Sequence, residues 1–273
     1  MPASLPNTKQ VATARTIPFY RDERKPPQTD LVVVEAPLQI KINGAPFTIT
    51  MRTPGNELEL VRGLLLTEGV ATPKQTLSIE MTKHPETRQI ICASVVLRAG
   101  VQQRSFDQVR TFMSTSSCGL CGSKEMPETT CLAPVRPSPL SDDDLSSAVG
   151  EAFLFVRPRQ TIFEQTGGAH ASALFSQRAL LMASFEDVGR HNAVDKVIGW
   201  SLLNDPSKQG GILTVSGRIS YEIVLKAWRA GISVVAGVSA PTSLAVETAR
   251  QAGIRLFGFC RETAGKEYLG MVR

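Results

Sequence analysis

Three features of the sequence predict an α/β protein. They are an apolar alternation around Asn43-Gly44, a Ser-, Gly- and Pro-rich break over 116–139, and short apolar strands alternating with amphipathic helices from His170 onward. The first belongs to a small α+β unit and the last to a larger sheet covered by helices, with its later strands parallel. The expected division is a flexible arm at 1–29, a small α+β domain at 30–115, a loop and linker at 116–139, and an α/β domain at 140–273.

In the first unit Leu38, Ile40 and Ile42 alternate ahead of Asn43-Gly44, and Phe47, Ile49 and Met51 follow it. A two-residue type I′ turn needs positive φ at both positions, which Asn-Gly tolerates, so a hairpin is expected. In "NELELVRGLLLTEG" the residues Leu58, Val61, Leu64 and Leu65 fall on one helical face, and Gly69 is the expected stop. Two strand-like runs, "TLSIEMTK" and "RQIICASVVLRA", complete the unit. After the break, Ser141 with Asp144 three residues on has the spacing of a capping box. Then "HASALFS" and "RALLMASFED" read as paired strands. Three helices follow, with apolar stripes at Val194, Val197 and Ile198, at Ile223, Val224, Ala227 and Trp228, and at Leu244, Ala245, Thr248 and Ala249. The strands between and after them are "GGILTVSG", "ISVVAGVSA" and "IRLFGFC".

Composition excludes several classes. No apolar run approaches the roughly 18 residues of a membrane span. The first sixteen residues lack the apolar core of a secretory signal, so a cytoplasmic location is expected. The five cysteines, an odd number, do not suggest a disulfide framework. A formal charge of +5 favours an anionic ligand or acidic partner, but Lys and Arg are scattered without aromatic interleaving, so no nucleic-acid surface is expected.

Chemistry is expected at the strand-to-helix junctions, because ligands of such sheets gather beyond the carboxyl ends of parallel strands, where helix N-termini present free N–H groups. The junctions are "VGRHN", "SGRIS" and "APTS", and "QTGGAHAS" adds Gly167, Gly168 and His170. Two carry an arginine, Arg190 and Arg218. Each could be an ordinary cap or turn, but together they favour a phosphate-bearing ligand, although no P-loop or G-x-G-x-x-G fingerprint is present. The other candidate is the pair Cys118 and Cys121 in "STSSCGLCGSK". A structural zinc site would have only Cys131 and His84 nearby to complete it. A thioredoxin-like pair would open a helix after a buried strand, and here a Ser/Thr run precedes it. The string His84-Pro85-Glu86 upstream echoes the H-x-E of zinc deaminases, with Ser117 where their proline stands. A thiolate that carries sulfane sulfur as a persulfide instead suits a polar, mobile tether.

The motifs "SSCGLCG", "TGGAHASALF", "EDVGRHNAVDK", "SGRISYEIVLKAWRAG" and "SAPTSLAVETARQAG" resemble the formate dehydrogenase accessory sulfurtransferases, the FdhD family, from about Val32 to Arg261. The resemblance implies a cytidine-deaminase-like three-layer α/β/α domain without that fold's zinc site. It implies a sulfurtransferase that accepts sulfur from a cysteine desulfurase and passes it to the molybdenum cofactor, molybdenum bis(guanine dinucleotide), for formate dehydrogenase. A zinc-binding or redox adaptor is the alternative. The family's persulfide cysteine falls on Cys118, with Cys121 its neighbour in the transfer. Its cofactor-binding segment falls on Phe259, Cys260, Arg261, Glu262, Thr263 and Ala264, where Glu262 and Thr263 replace a commonly more basic continuation. Arg190, His191, Arg218 and Thr242 then stand where helix N-termini could receive guanine nucleotide phosphates, with GDP as a mimic, and His170 and Asp187 stand beside them. A homodimer is also implied.

Overall fold

The structure, a computed structural model, describes residues 10–16, 19–20, 23–101, 132–204 and 210–271. Within the stretch expected as an arm, β1 (Val11–Thr16) pairs antiparallel with β4 (Gln28–Val33), and the short β2 (Phe19–Tyr20) pairs with β3 (Glu23–Arg24). The residue 29/30 boundary therefore runs through a two-stranded ribbon.

Asn43 and Gly44 stand at φ 49° and 84°, the backbone of the expected turn, and join β5 (Ala36–Ile42) to β6 (Ala45–Arg52). The following helix is α1 (Glu57–Thr67), and β7 (Thr76–Lys83) and β8 (Ile90–Leu97) complete a sheet of order β6-β5-β8-β7. Three expected core positions are corrected. A register shift between Ile40 and Lys41 places Thr48 opposite Ile40 and Ile49 opposite Gln39. Residues directly opposite share a face, so Phe47 is buried while Ile49 and Met51 lie on the open side. On α1 the buried stripe is Leu60, Val61, Leu64 and Leu65, and Leu58 is exposed.

The second unit opens with α2 (Asp142–Val156), where Ser141 Oγ accepts the Asp144 N–H at 3.2 Å and donates to its carboxylate at 2.6 Å. After α3 (Thr161–Thr166) come β9 (His170–Ser176), β10 (Leu181–Asp187), α4 (Arg190–Asn204), β11 (Gly210–Val215), α5 (Tyr221–Arg229), β12 (Val234–Gly237), α6 (Ser243–Gln251), β13 (Arg255–Gly258) and β14 (Lys266–Tyr268). The sheet order is β10-β9-β11-β12-β13-β14, with β11, β12 and β13 parallel and β9 antiparallel to both neighbours. Its two faces are covered differently, which gives three layers. Leu145, Val149, Ala152 and Phe153 of α2 pack on Ala173, Phe175, Ile212 and Val234. On the other face Val194, Val197, Ile223, Val224, Ala245 and Ala249 pack on Leu174, Leu213, Val235 and Leu256. Leu244, expected in the α6 stripe, is exposed at the helix start.

The two units are joined through α1 and α4. A Cβ on Gly63 would stand 1.9 Å from the Asp195 carbonyl oxygen, and one on Gly199 would stand 1.8 Å from that of Glu59. The helices meet backbone to backbone, which only glycine permits. Beyond β8, Trp228 Nε1 donates to the Ala133 carbonyl and the Val135 N–H to that of Ala252, so the chain re-enters the second unit along α5 and α6.

Candidate functional site

Strand order places the ends of β10, β11, β12 and β13 at one edge of the large sheet, together with the start of the antiparallel β9. His170 opens β9 opposite Asp187, which closes β10. Ser216 follows β11, and its hydroxyl accepts the Ala171 N–H at 2.9 Å and lies 3.5 Å from His170 Nδ1. Gly217 comes next. A Cβ there would be 3.4 Å from His170 Nδ1 and 3.8 Å from Arg190 Cδ, so the loop after β11 lies directly against the first turn of α4. His191 Nε2 is 3.8 Å from Glu222 Oε2, and Ser220 Oγ donates to the same oxygen at 2.6 Å. Thus three of the expected junctions form one rim.

The rim loops are tied to one another. The Ile219 N–H donates to Ala240 and the Thr242 N–H to Ile219, so the segments after β11 and β12 run as a short parallel bridge. The Phe259 N–H reaches Ser239 O, the Cys260 N–H reaches Gly237 O, and Arg261 Nη1 donates to the Val238 carbonyl at 2.8 Å. The expected segment 259–264 therefore joins the same rim, beyond the β12 loop from Arg190 and His191.

Individual residues have different roles available. Arg218 is exposed and Arg190 is half-buried. Thr242 is the N-cap of α6, its hydroxyl accepting the Ala245 N–H at 3.3 Å, so much of its polar capacity serves the helix. Phe259 is 44% exposed at φ 53°, a left-handed backbone that is unusual for an aromatic residue, with Lys266 Nζ 5.1 Å from its ring centroid. Cys260 is buried, and loss of solvent pushes its thiol up to about 11, so it packs as a core side chain and does not offer a ready thiolate. Glu262 is 3.5 Å from Arg157 at the surface, and its carbonyl lies over Gly150 of α2. The Ala264 carbonyl accepts the Arg261 N–H in a tight turn, and Thr263 between them is exposed. Burial, and then the positive charges of Arg190 and His191, hold the His170 imidazole below its ordinary value, opposed by Asp187. An anion at this rim would face Arg190, Arg218 and the His170 and His191 rings, with the Glu222 carboxylate set back against Ser220 and His191.

Half of "EDVGRHNAVDK" turns inward. Glu186 accepts the Ile162 and Phe163 N–H groups at the start of α3. Asp187 is fully buried and accepts from Thr53 N, Gly189 N, Asn192 Nδ2 and Lys196 Nζ, at 3.1, 2.9, 3.0 and 2.7 Å. Asp195 accepts from Thr67 Oγ1 and Lys226 Nζ. Asp187, through Thr53, and Asp195, through Thr67, knit the units together, and Asp187 is removed from direct ligand contact because its lone pairs are occupied. Thr53, Thr67 and Asn192 carried no sequence signal for this. His84 sits in the β7–β8 turn, accepting the Glu86 and Thr87 N–H groups at Nδ1. Cys118, Cys121 and Cys131 lie outside the described residues. Among the described residues no three His, Cys, Asp or Glu side chains form a metal-binding group, and no helix is long and apolar enough to cross a membrane.

Comparison with known proteins matches the sequence profile described as the FdhD/NarQ family to residues 33–273. A protein of Mycobacterium tuberculosis named sulfur carrier protein FdhD is 42% identical over 85% of this chain and 87% of its own. Proteins of the same name from Streptomyces coelicolor and Sulfolobus acidocaldarius are each 38% identical, over 97% and 91% of this chain and 96% and 92% of their own. Among solved structures, a protein of Desulfotalea psychrophila, whose description calls it a formate dehydrogenase accessory protein with its assignment provisional, superposes with a TM-score of 0.74. The match covers 95% of this chain and 97% of that one at 22% identity, which speaks to the fold alone.

Proposed function

The chain belongs to the FdhD/NarQ family, and from that premise we propose that it is a sulfur carrier serving formate dehydrogenase. The observation that carries the reading is the similarity to curated sulfur carrier proteins over 85% or more of the chain. In this reading the Cys118 thiolate attacks the outer sulfur of a persulfide on a cysteine desulfurase. One S–S bond forms as the other breaks, and the desulfurase cysteine leaves as a thiolate, so no outside oxidant is needed. The outer sulfur then passes at the sulfide level to the molybdenum cofactor, molybdenum bis(guanine dinucleotide): the Cys121 thiolate attacks Cys118 Sγ, a Cys118–Cys121 disulfide forms as the Cys118 persulfide bond breaks, and the two electrons leave with the transferred sulfur.

The rim is the proposed seat of that acceptor. Arg190, His191 and Arg218 receive guanine nucleotide phosphates, helped by the positive ends of the helix dipoles at the starts of α4, α5 and α6. Thr242 contributes through the helix that it caps, and Phe259 to Ala264 close the far side. The mixed sheet with one antiparallel inner strand, layered between α2 and the other helices, suits a cytidine-deaminase-like descent. A homodimer and a cytoplasmic location complete the reading.

The test is mass spectrometry of the full chain after incubation with a cysteine desulfurase and cysteine. The expected result is one added sulfur, released by a reductant, on the peptide containing Cys118. No added sulfur, together with stoichiometric zinc that is lost in Cys118→Ala, would replace the carrier with a zinc-binding adaptor.

A further inference from the structure

The turn that delivers Arg190 and His191 to the rim is fixed from outside its own unit. Between β10 and α4 stand only Val188 and Gly189. The Val188 N–H donates to Thr53 Oγ1 at 3.0 Å. The Thr53 N–H donates to Asp187 Oδ2 at 3.1 Å, and the Thr53 carbonyl accepts from Lys196 Nζ at the same distance. All three polar groups of this fully buried residue are thus used on the end of β10, the turn, and the second turn of α4. Two positions before Thr53, the Met51 carbonyl of β6 accepts from Asn192 Nδ2 of the rim helix at 2.7 Å. The first turn of α4 therefore takes its orientation from the end of β6.

These bonds differ in what they control. The Asp187–Lys196 pair would persist without the small unit, since both partners belong to β10 and α4. The Thr53 hydroxyl is the acceptor found for the Val188 amide, and only Gly189 separates Val188 from the residues that project to the rim. Removing the hydroxyl leaves a partly buried N–H without that acceptor, and its need for a partner favours rotation of the peptide. Rotation there would shift the start of α4, and with it the Arg190 and His191 side chains, because only Gly189 lies between that peptide and the helix.

We propose that Thr53 is a positioning residue for the nucleotide rim: its hydroxyl sets the β10–α4 turn and, through it, the side chains that receive the phosphates. The proposal rests on reading the rim as a guanine nucleotide site. It makes the small N-terminal unit a working part of that site, although none of its residues is expected to touch the ligand.

Calorimetric titration of the full chain with GDP tests this. Thr53→Val is expected to weaken binding roughly tenfold, and Thr53→Ser, which keeps the hydroxyl, to restore it. Thr67→Val is the control. It removes an equally buried hydroxyl from the other end of the interface, where Thr67 Oγ1 donates to Asp195 at 2.6 Å, and should lower the melting midpoint while leaving GDP affinity unchanged. Wild-type affinity in Thr53→Val, no rescue by serine, or equal weakening in Thr67→Val would each overturn the positioning role. If Thr53→Val does not fold, Thr53→Ala takes its place with the same expectation. Absence of GDP binding in the wild type would defeat the nucleotide reading itself and the positioning role with it, whereas wild-type binding that Thr53→Val leaves intact defeats only the latter.

Discussion

The Lys226 ammonium donates to both carboxylate oxygens of Asp195, at 3.0 and 2.9 Å, and both side chains are almost wholly buried. It also reaches Thr67 Oγ1 at 2.8 Å and Glu68 Oε1 at 2.9 Å, so one cation of α5 bridges a carboxylate just past the end of α1 and one in α4. Burial alone would drive the Lys226 ammonium to release its proton, but the two carboxylates hold it protonated and raise it above its ordinary value.

Removing that cation strands a buried carboxylate. Lys226→Met is expected to lower the unfolding free energy by about 3–5 kcal/mol, and the double variant with Asp195→Leu to recover a large part of the loss. Urea denaturation of the single and double variants measures both. A single variant within about 1 kcal/mol of the wild type would show that the pair contributes little.

Gly63→Ala is expected to cost about 3 kcal/mol or more, because its new methyl would lie 1.9 Å from the Asp195 carbonyl oxygen, within rigid helix backbone. Gly44→Ala, whose Cβ meets nothing within 4 Å, should cost less, from the positive φ alone. Melting curves of the two variants give the comparison, and the reverse order would contradict the helix contact.

Acid should weaken the fold through His170. Its folded value is lowered by burial and by Arg190 and His191, so the unfolded chain binds the proton more tightly. The resulting stability is present above the unfolded value of 6.5 and is lost as pH falls from there through the folded value. His170→Asn should flatten the decline in denaturation midpoint between about pH 7 and about pH 5. Parallel declines in the two proteins would remove His170 as the source.

Cys118→Ala should abolish formate dehydrogenase activation in a host lacking its own copy. Full activation by the variant would show that this thiol is not the carrier. Loss of activation accompanied by a lost melting transition would point to a folding defect instead, which a one-atom truncation within a Ser- and Gly-rich stretch is not expected to cause.

GDP at about 100 times its Kd should stabilise the protein by about 2.7 kcal/mol, a shift of several degrees, and ADP by less. Arg218→Gln should weaken the GDP effect roughly threefold to tenfold in affinity if the exposed guanidinium meets phosphate. Equal shifts with the two nucleotides would count against a guanine-specific rim.

The parts of this fold that were legible in the sequence were those decided locally. Asn43-Gly44 carries its own turn because both residues tolerate positive φ, and Ser141 with Asp144 carries its own cap. The face of α1 was harder to assign. Leu58 and Leu60 both fit a helical period, and only the position of α1 between its own sheet and α4 buries the second. Ile49 and Met51 were misplaced because one extra residue in β6 changes the face of everything after it. The string "EDVGRHNAVDK" was recognisable as important, but its division into inward ties and outward rim was not. The partner of Val188 is Thr53, 135 positions away, and a lone threonine at a strand end has no distinguishing pattern.

The ties between α1, β6 and α4 also bear on inheritance. Thr53, Gly63 and Thr67 are meaningful only opposite Val188, Asp195 and Lys226, so each half of the interface constrains what the other can become. A chimera that joined the first hundred or so residues of one relative to the remainder of another would have to carry matched sets across the join. Substitutions here should therefore arise in compensating pairs, and the small unit and the large sheet should share one lineage and not travel separately as interchangeable modules.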